Sequence, residues 1–237
     1  MLSQQAADMV CAALRARPEL TLGLPTGNTP LGMYEELVRL HETVGLDFSK
    51  ARTFNLDEYV GLAADHPKSY HAYMRRHFFD RVNVAEENID IPGGAPGIDG
   101  DAESRRYEAA INAVGGIDLL IVGIGSNGHI GFNEPGSSFA SRTRVVTLAP
   151  HTIANARRHF DSDADVPRAA ITVGIGTILE ARRILLLASG KSKARITHEL
   201  LHGPVSESLP ATALQLHPDV TVILDEAAAA PEPSQKS

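Results

Sequence analysis

The chain has 237 residues, 43% of them hydrophobic, and its 22 basic against 29 acidic side chains give a formal net charge of −7. This acidic balance argues against nucleic-acid binding, which needs a basic surface to displace counterions from phosphates. The apolar runs fall far short of the roughly 20 residues that a membrane-spanning helix needs, and Cys11, the only cysteine, excludes an internal disulfide.

Short apolar runs alternate with stretches of helical periodicity along the chain. In chain order, the predicted elements are helix Leu2–Arg17, strand Leu20–Leu24, helix Pro30–Leu40, strand Ala51–Asn55, helix Ser69–Phe79, helix Asp101–Val114, strand Ile117–Val122, strand Thr143–Leu148, strand Ile184–Ala188, helix Lys191–Leu201 and strand Val220–Leu224. Apolar strands separated by helices are typical of a parallel sheet that helices cover on both faces. We therefore predict one α/β domain over residues 1–226, an open Rossmann-like and mostly parallel sheet.

Both ends of the chain carry signals of their own. Over residues 227–237 an alanine run leads into Pro-Glu-Pro-Ser-Gln-Lys-Ser, which offers little apolar surface to bury, so we predict a disordered tail. No basic segment followed by an apolar run opens the chain, and with the single cysteine this favours a cytoplasmic location. The scattered histidines lead us to expect no bound metal.

Ligands of such sheets bind beyond the carboxyl ends of the strands, and the first strand ends in an unusual loop. Residues 25–32 read Pro-Thr-Gly-Asn-Thr-Pro-Leu-Gly and lead into a helix with Thr29 as its predicted N-cap. Small hydroxyl and glycine residues at a helix start leave N–H groups free for a phosphate. An ordinary capped helix start is the alternative, because the Gly-Lys-Ser/Thr of a Walker A loop is missing.

Two adjacent acids, Asp57 and Glu58, follow the second strand. One interpretation is a solvated pair of loop carboxylates. The other is a partly desolvated carboxylate whose raised pKa makes it a base near neutral pH.

A glycine-rich segment, residues 123–135, follows the strand Ile117–Val122 and contains His129 and Glu134. Its glycines formally match the dinucleotide motif GxGxxG, but Gly131 and Pro135 interrupt the helix that should follow, so we reject that interpretation. A single histidine is more often structural than catalytic. Here a glycine-rich turn at a strand end supplies it beside a carboxylate, which favours catalysis.

The segment Ser189-Gly-Lys-Ser-Lys193 lies at another junction between a strand and a helix. Lysines at a helix start oppose the helix dipole, a small penalty that a bound anion removes. Either Lys191 or Lys193 is a candidate for such an anion, and a solvated lysine pair is the alternative.

Together these segments resemble the glucosamine-6-phosphate deaminase family, in its short, non-allosteric bacterial form, over nearly the whole chain. The stretches that carry the resemblance are Leu22–Pro30, Phe54–Gly61, His66–Tyr70, Gly123–Pro135, Ser141–Arg144, Thr172–Thr177 and Leu216–Pro218. The resemblance implies a Rossmann-like fold and the hydrolytic deamination of glucosamine 6-phosphate to fructose 6-phosphate and ammonia. It implies no cofactor, a small amino-sugar phosphate as the binding partner, and a monomer or small homo-oligomer.

The resemblance also implies roles for individual residues. Asp57 corresponds to the base that takes the C2 proton and returns it to C1, and His129 to the shuttle that opens the sugar ring with support from Asn127 and Glu134. The implied phosphate ligands are Thr26, Gly27, Asn28, Thr29, Lys193 and an arginine, either Arg158, which we favour, or Arg157. Residues 144–171 correspond to a mobile lid.

Several positions depart from the family pattern. Asn127 stands where many members carry aspartate, so the relay is expected to depend more on Glu134. Val146 stands where allosteric members carry an effector-binding lysine, and the leading strand and C-terminal extension of longer members are also expected to be missing.

Three alternative functions stay open. Galactosamine-6-phosphate deamination differs in the configuration of one hydroxyl. A 6-phosphogluconolactonase typically shows Asp-Gly-His-Thr-Ala-Ser where this chain has Asn-Gly-His-Ile-Gly-Phe at 127–132. A non-catalytic sugar-phosphate sensor has no need for acid and base residues at three strand ends.

Overall fold

The computed structural model describes residues 1–158, 160 and 162–230. Its main sheet has six strands in the order β4-β2-β1-β5-β8-β9, and every neighbouring pair is parallel. These strands are β1 (Thr21–Leu24), β2 (Arg52–Asn55), β4 (Ile89–Asp90), β5 (Leu119–Gly123), β8 (Ile184–Ala188) and β9 (Val220–Leu224). The predicted α/β class and the mostly parallel sheet are confirmed.

Helices cover both faces of this sheet because the side chains of a strand alternate between faces. In β5, Leu119 and Ile121 pack with α1 (Leu2–Ala16), α2 (Leu31–Val44) and α3 (Tyr70–His77). The intervening Leu120 and Val122 pack with helices on the opposite face, namely α4 (Gly100–Ala113), α6 (Ile175–Leu179) and α7 (Ala194–His202). A strand that is buried on both faces needs the continuous apolar run that the sequence shows.

The predicted bounds differ from the observed ones mainly at helix ends. Helix α2 begins one residue later than predicted, with Pro30 rather than Thr29 at its N-cap, and no side chain caps it. It continues to Val44, where Gly45 ends it with a left-handed φ of 66°. The predicted helix at 191 begins with a 3₁₀ turn over Lys191–Lys193, and the α-helix starts at Ala194.

A second sheet, of three antiparallel strands, was not predicted. It has the order β3-β7-β6, formed by β3 (Asp57–Tyr59), β7 (Ala169–Thr172) and β6 (Arg144–Thr147). The predicted strand Thr143–Leu148 therefore exists as β6 but lies outside the main sheet. Strand β3 has three residues, two of them acidic, so neither its length nor its composition favours a strand.

The last described residues contradict the start of the predicted tail. Ala228 is fully buried, its N–H donates to Asp225 and its carbonyl accepts from the Thr197 hydroxyl at 2.6 Å. Burial of this small side chain against α7 therefore extends the packed chain beyond 226. The rest of the predicted tail, residues 231–237, lies outside the described residues. Within the described part of the chain, no helix is both long and apolar enough to cross a membrane.

Candidate active site

A cleft of about 280 Å³ opens at the carboxyl ends of β1 and β5, as expected for a parallel sheet. Its lining brings together most of the predicted site residues: Thr26, Gly27, Asn28, Thr29, Asp57, His129 and Lys193. Within the described residues, Asn127 and Glu134 lie behind His129 instead of lining the cleft, and Arg158 lies outside it. The cleft thus joins a loop suited to phosphate with two groups that can move protons.

Asp57 is the first residue of β3 and is only 7% exposed. Burial, with a smaller contribution from the charge of Glu58, raises the pKa of its carboxyl from 3.8 to about 8. Of the two interpretations of this acid, the desolvated base describes it and the solvated loop pair does not.

Glu58 points away from the cleft and binds the start of α3. Its carboxylate accepts hydrogen bonds from the backbone N–H groups of Tyr70 and His71, each at 3.0 Å, and from the His71 ring at 2.8 Å. A carboxylate at a helix N-terminus satisfies free N–H groups and favours the helix dipole. Glu58 is therefore a structural residue.

His129 is held in front of the carboxylate of Glu134. Its Nδ1 lies 3.5 Å from Glu134 Oε2 and, among the described residues, has no closer hydrogen-bond partner although it is buried. Asn127 contacts both residues, because its amide N–H donates to Glu134 Oε2 at 2.8 Å and its amide oxygen accepts from the backbone N–H of His129 at 3.3 Å. The structure thus brings these three residues together, and the roles that the resemblance implies for them stay a prediction.

Glu134 stays ionised near neutral pH. Burial tends to raise the pKa of its carboxyl, but the nearby imidazole of His129 and hydrogen bonds from Thr152 and Asn127 together outweigh burial and lower the pKa to about 2. A fixed negative charge beside an imidazole stabilises the protonated ring, which suits a proton shuttle.

Two residues of this cluster were missed from the sequence, His151 and Thr152, both in the first turn of α5 (Pro150–Arg157). The Thr152 hydroxyl donates to Glu134 Oε1 at 2.6 Å, and His151 Nε2 lies 3.1 Å from the Asn127 amide nitrogen. No motif links them to His129, which precedes them by more than twenty residues, so no local signal could have found them.

The glycine-rich segment forms a tight turn, not the helix of a dinucleotide motif. The N–H of Gly125 donates to the carbonyl of His129, and that of Gly128 to the carbonyl of Gly125. A Cβ on Gly125 would lie 2.3 Å from the His129 ring, so the absent side chain makes room for the imidazole. This bears out the rejection of the dinucleotide interpretation.

The phosphate-suited loop, residues 25–30, is fixed from outside by two tyrosines. The Tyr34 hydroxyl donates to the carbonyl of Pro25 and the Tyr73 hydroxyl to that of Gly27, each at 2.6 Å. Gly27 has φ of 102°, a conformation that favours glycine. A loop held this way exposes its small polar groups to the cleft without rearrangement.

The structure separates the four cations predicted as candidate anion ligands. Lys191 is exposed and is not among the described residues that line the cleft. Lys193 is half-buried and lines the cleft, and burial lowers the pKa of its amine. Arg157 forms an ion pair with Asp163, with Nη2 2.5 Å from Oδ1. Arg158 is the exposed C-cap of α5 and makes no ion pair with the described residues. Of these four cations, only Lys193 lines the cleft.

One cluster could hold a metal ion, although none was expected. Donor atoms of His129, Glu134 and His151 all lie within 4.8 Å of one another. The sequence also contains the zinc-type spacing HExxH at His198 and His202, which the sequence interpretation overlooked. Both rings are exposed on α7, and among the described residues no third donor joins them.

Comparisons with known proteins agree with this geometry. Residues 1–223 match the family described as glucosamine-6-phosphate isomerases/6-phosphogluconolactonase. The glucosamine-6-phosphate deaminase of Thermoanaerobacter pseudethanolicus is 49% identical over 99% of this chain and 92% of its own. Glucosamine-6-phosphate deaminase 1 of Bacillus subtilis is 50% identical over 98% of this chain and 96% of its own.

Solved structures give the same result at the level of the fold. The structure of a monomeric glucosamine-6-phosphate deaminase superposes with a TM-score of 0.92 at 50% identity, covering 96% of this chain and 94% of that one. The 6-phosphogluconolactonase of Leishmania guyanensis superposes with a TM-score of 0.75 at 22% identity, covering 98% and 95%. The second likeness extends to the fold alone.

Proposed function

Because the chain belongs to the family of glucosamine-6-phosphate isomerases and 6-phosphogluconolactonases, we propose that it is the deaminase of glucosamine 6-phosphate. The enzyme converts glucosamine 6-phosphate and water to fructose 6-phosphate and ammonia. The observation that carries this proposal is the meeting of Asp57 and His129 in one cleft with the phosphate-suited loop. The reaction needs a base that takes a proton from carbon and a second group that transfers a proton between the sugar oxygens.

The phosphate group is the anchor in this proposal. Residues Thr26–Thr29 and Lys193 line the same cleft, and together they offer neutral N–H and hydroxyl donors and one positive charge. Arg158 would add a second charge after a movement of α5, in line with the lid that the resemblance implies for residues 144–171.

Ring opening is the first proton transfer. One proton must leave O1 and one must reach O5, and an imidazole can accept the first and deliver the second. His129 reaches the cleft, and the charge of Glu134 behind it stabilises the protonated intermediate state of the ring. Asn127 keeps the two aligned through its hydrogen bond to Glu134.

Asp57 performs the isomerisation in this scheme. In its ionised form it takes the proton from C2, which gives an enolamine, and it then returns the proton to C1. The product is an iminium at C2; water adds there and ammonia leaves, so that the ketone of fructose 6-phosphate forms. A pKa of about 8 suits this double role, because the group both accepts and donates a proton near neutral pH.

We expect ammonia release from glucosamine 6-phosphate at a rate well above that from galactosamine 6-phosphate, and no lactonase activity on 6-phosphogluconolactone. Because Val146 lacks the charge to bind an anionic effector, the substrate curve should be hyperbolic without N-acetylglucosamine 6-phosphate. A preference for galactosamine 6-phosphate would instead identify a galactosamine-6-phosphate deaminase. Hydrolysis of the lactone alone would identify a 6-phosphogluconolactonase.

The role of Asp57 is tested by comparing Asp57→Asn with Glu58→Gln. Loss of a positioned base typically costs about 10² to 10⁴ in rate, so Asp57→Asn should lose C2–H exchange with deuterated water while still binding substrate. Glu58→Gln should keep exchange and lower the melting temperature, because Glu58 binds the start of α3. Loss of exchange in Glu58→Gln but not in Asp57→Asn would show that the base is Glu58 and not Asp57.

We also propose that the enzyme is a monomer and is located in the cytoplasm. The 50% identical solved structure is that of a monomeric deaminase, which supports a monomer here. The acidic surface and single cysteine support a cytoplasmic enzyme that acts on a small sugar phosphate and binds no nucleic acid.

A further inference from the structure

We propose that His129, Glu134 and His151 form a binding site for a divalent transition metal such as Zn²⁺, and that the bound ion inhibits the enzyme. Two imidazoles and one carboxylate are a donor set that zinc accepts in proteins. The inhibition rests on the proposed function of His129, whereas the binding of the ion does not.

The distances suit a tetrahedral ion. Zinc binds histidine nitrogen and carboxylate oxygen at about 2.0–2.2 Å, which places neighbouring donors of a tetrahedron about 3.4 Å apart. Glu134 Oε2 lies 3.5 Å from His129 Nδ1 and 3.5 Å from His151 Nε2. The remaining separation, between the two ring nitrogens, is within 4.8 Å, and the exposed ring of His151 can turn to shorten it.

The ion needs the unprotonated nitrogen of each histidine ring. His129 Nδ1 is buried and, among the described residues, has no hydrogen-bond partner. His151 Nε2 lies 3.1 Å from the amide nitrogen of Asn127 and 3.2 Å from the hydroxyl of Thr152. In the neutral tautomer with its proton on Nδ1, this ring offers the lone pair of Nε2 to the ion. Binding of the ion would release any proton that either ligating nitrogen carries.

Asn127 is the residue that must adjust. Its amide nitrogen now lies between Glu134 Oε2, at 2.8 Å, and His151 Nε2, at 3.1 Å. Turning the amide by 180° would present its oxygen to the ion as a fourth ligand. The turn would give up the hydrogen bond to Glu134 and the contact with His151, both of which the ion would replace, and also the 3.3 Å hydrogen bond from the backbone N–H of His129. Without that turn, water completes the coordination.

Inhibition follows from which nitrogen the ion takes. A metal on Nδ1 fixes the His129 ring and draws electron density from it, so the ring is a poorer acceptor of the O1 proton. The ion also neutralises the charge of Glu134 that would stabilise the protonated ring. Both effects act on ring opening and leave the phosphate-suited loop unchanged.

The HExxH pair on α7 supplies an internal control for this proposal. His198 and His202 are exposed, their ring centroids are 4.8 Å apart, and the carboxylate between them in sequence, Glu199, is paired with Arg195. Two exposed imidazoles chelate an ion less tightly than three donors that include a buried nitrogen. We assign inhibition to the cluster in the active site and not to this pair.

The experiment measures Zn²⁺ binding by titration calorimetry without substrate, and Zn²⁺ inhibition of ammonia release relative to each variant's own uninhibited rate. His151→Gln should weaken both binding and inhibition by more than about 10-fold, since even loss of a second-shell partner costs 10–100-fold. His151→Asn is the second variant, and the exposed position of His151 makes both tolerable for folding. A chelator should restore the wild-type rate.

Two control variants should keep the inhibition: the double variant His198→Gln/His202→Gln, and Cys11→Ser, which removes the only thiol. Unchanged inhibition in both His151 variants, or its loss in either control, would overturn the proposal. Calorimetry separates the two levels of inference, because a protein that binds one Zn²⁺ through His151 but releases no ammonia would contradict the proposed function alone. A protein that releases ammonia but binds no Zn²⁺ at the cluster would contradict this inference alone.

Discussion

Asp57 and Glu58 are neighbours in the chain with opposite surroundings. Side chains of consecutive residues in an extended strand point to opposite sides, so Asp57 lines the cleft while Glu58 binds the N-terminus of α3. Both are buried, but Glu58 has four hydrogen bonds to its carboxylate and Asp57 has a raised pKa. The neighbour with fewer partners is the one suited to exchange protons with a substrate.

Lys193 is the residue on which the phosphate assignment can be tested most cleanly. Lys193→Ala removes a charge-assisted contact made in both ground and transition states, so KM should rise with little change in kcat. Such a contact contributes about 1.5–3 kcal/mol, which corresponds to a rise in KM of roughly 10- to 100-fold.

Lys191→Ala is the matched control for that measurement. Lys191 lies two residues away in the same 3₁₀ turn, is exposed, and is not among the described residues that line the cleft. Its KM should stay within about 2-fold of the wild-type value, because exposed charges contribute little. An equal rise in KM for both variants would point to a general effect of charge rather than a phosphate ligand.

At the scale of elements, the turn after β5 sets the position of His129. Two of its glycines differ in what a side chain would meet: a Cβ on Gly125 would lie 2.3 Å from the His129 ring, whereas a Cβ on Gly123 would meet nothing within 4 Å. Neither residue has a positive φ. Alanine substitutions at the two positions therefore distinguish displacement of the imidazole from a general effect of replacing a glycine.

Gly125→Ala should lower kcat strongly because the imidazole must move. A displacement of about 1 Å in a catalytic group can cost roughly 100-fold in rate. Gly123→Ala should keep most of the turnover. The measurement is kcat for both variants with thermal unfolding as a check of folding, and equal kcat values would show that the His129 ring tolerates the added methyl group.

Helix α5 links the parts of the site that lie far apart. Its first turn contacts Glu134 through Thr152, and its C-cap is Arg158. The strands at the two ends of the predicted lid, β6 and β7, pair with each other, and β7 also pairs with β3, which carries Asp57. The lid is thereby anchored to the strand of the proposed base, and its movement stays a prediction.

At the scale of the molecule, burial of Asp57 makes stability depend on pH. The pKa of this carboxyl is about 8 in the folded protein and 3.8 when exposed. Between these values the folded chain keeps a proton that the unfolded chain releases, so the free energy of unfolding falls as pH rises from about 4 to about 8. Above pH 8 both states are ionised and the effect levels off.

Asp57→Asn should remove this dependence, because the amide never ionises. We expect its melting temperature to exceed that of the wild type by a margin that grows from pH 5 to pH 8. Asp65→Asn, at an exposed position in a turn, serves as the control and should show no such growth. A constant difference between Asp57→Asn and the wild type over this range would show that the carboxyl is not desolvated.

The sequence by itself determined the α/β class, the bounds of strands β8 and β9 to the residue, and the loops at the carboxyl ends of β1, β2 and β5. These features are local, because a short apolar run bounded by turn residues is enough to indicate a strand. The same local signals placed Asp57, His129 and Lys193 at strand ends, and the resemblance added their roles.

Only the tertiary structure decided what depends on contacts between distant residues. The second sheet exists because β3 pairs with β7, more than one hundred positions away, which buries two acidic residues that propensity places in a loop. His151 joins Glu134 and Asn127 because α5 packs over the turn after β5. The raised pKa of Asp57 likewise follows from its burial in the folded protein. That burial depends on residues far away in the chain, so the sequence around Asp57 does not show it.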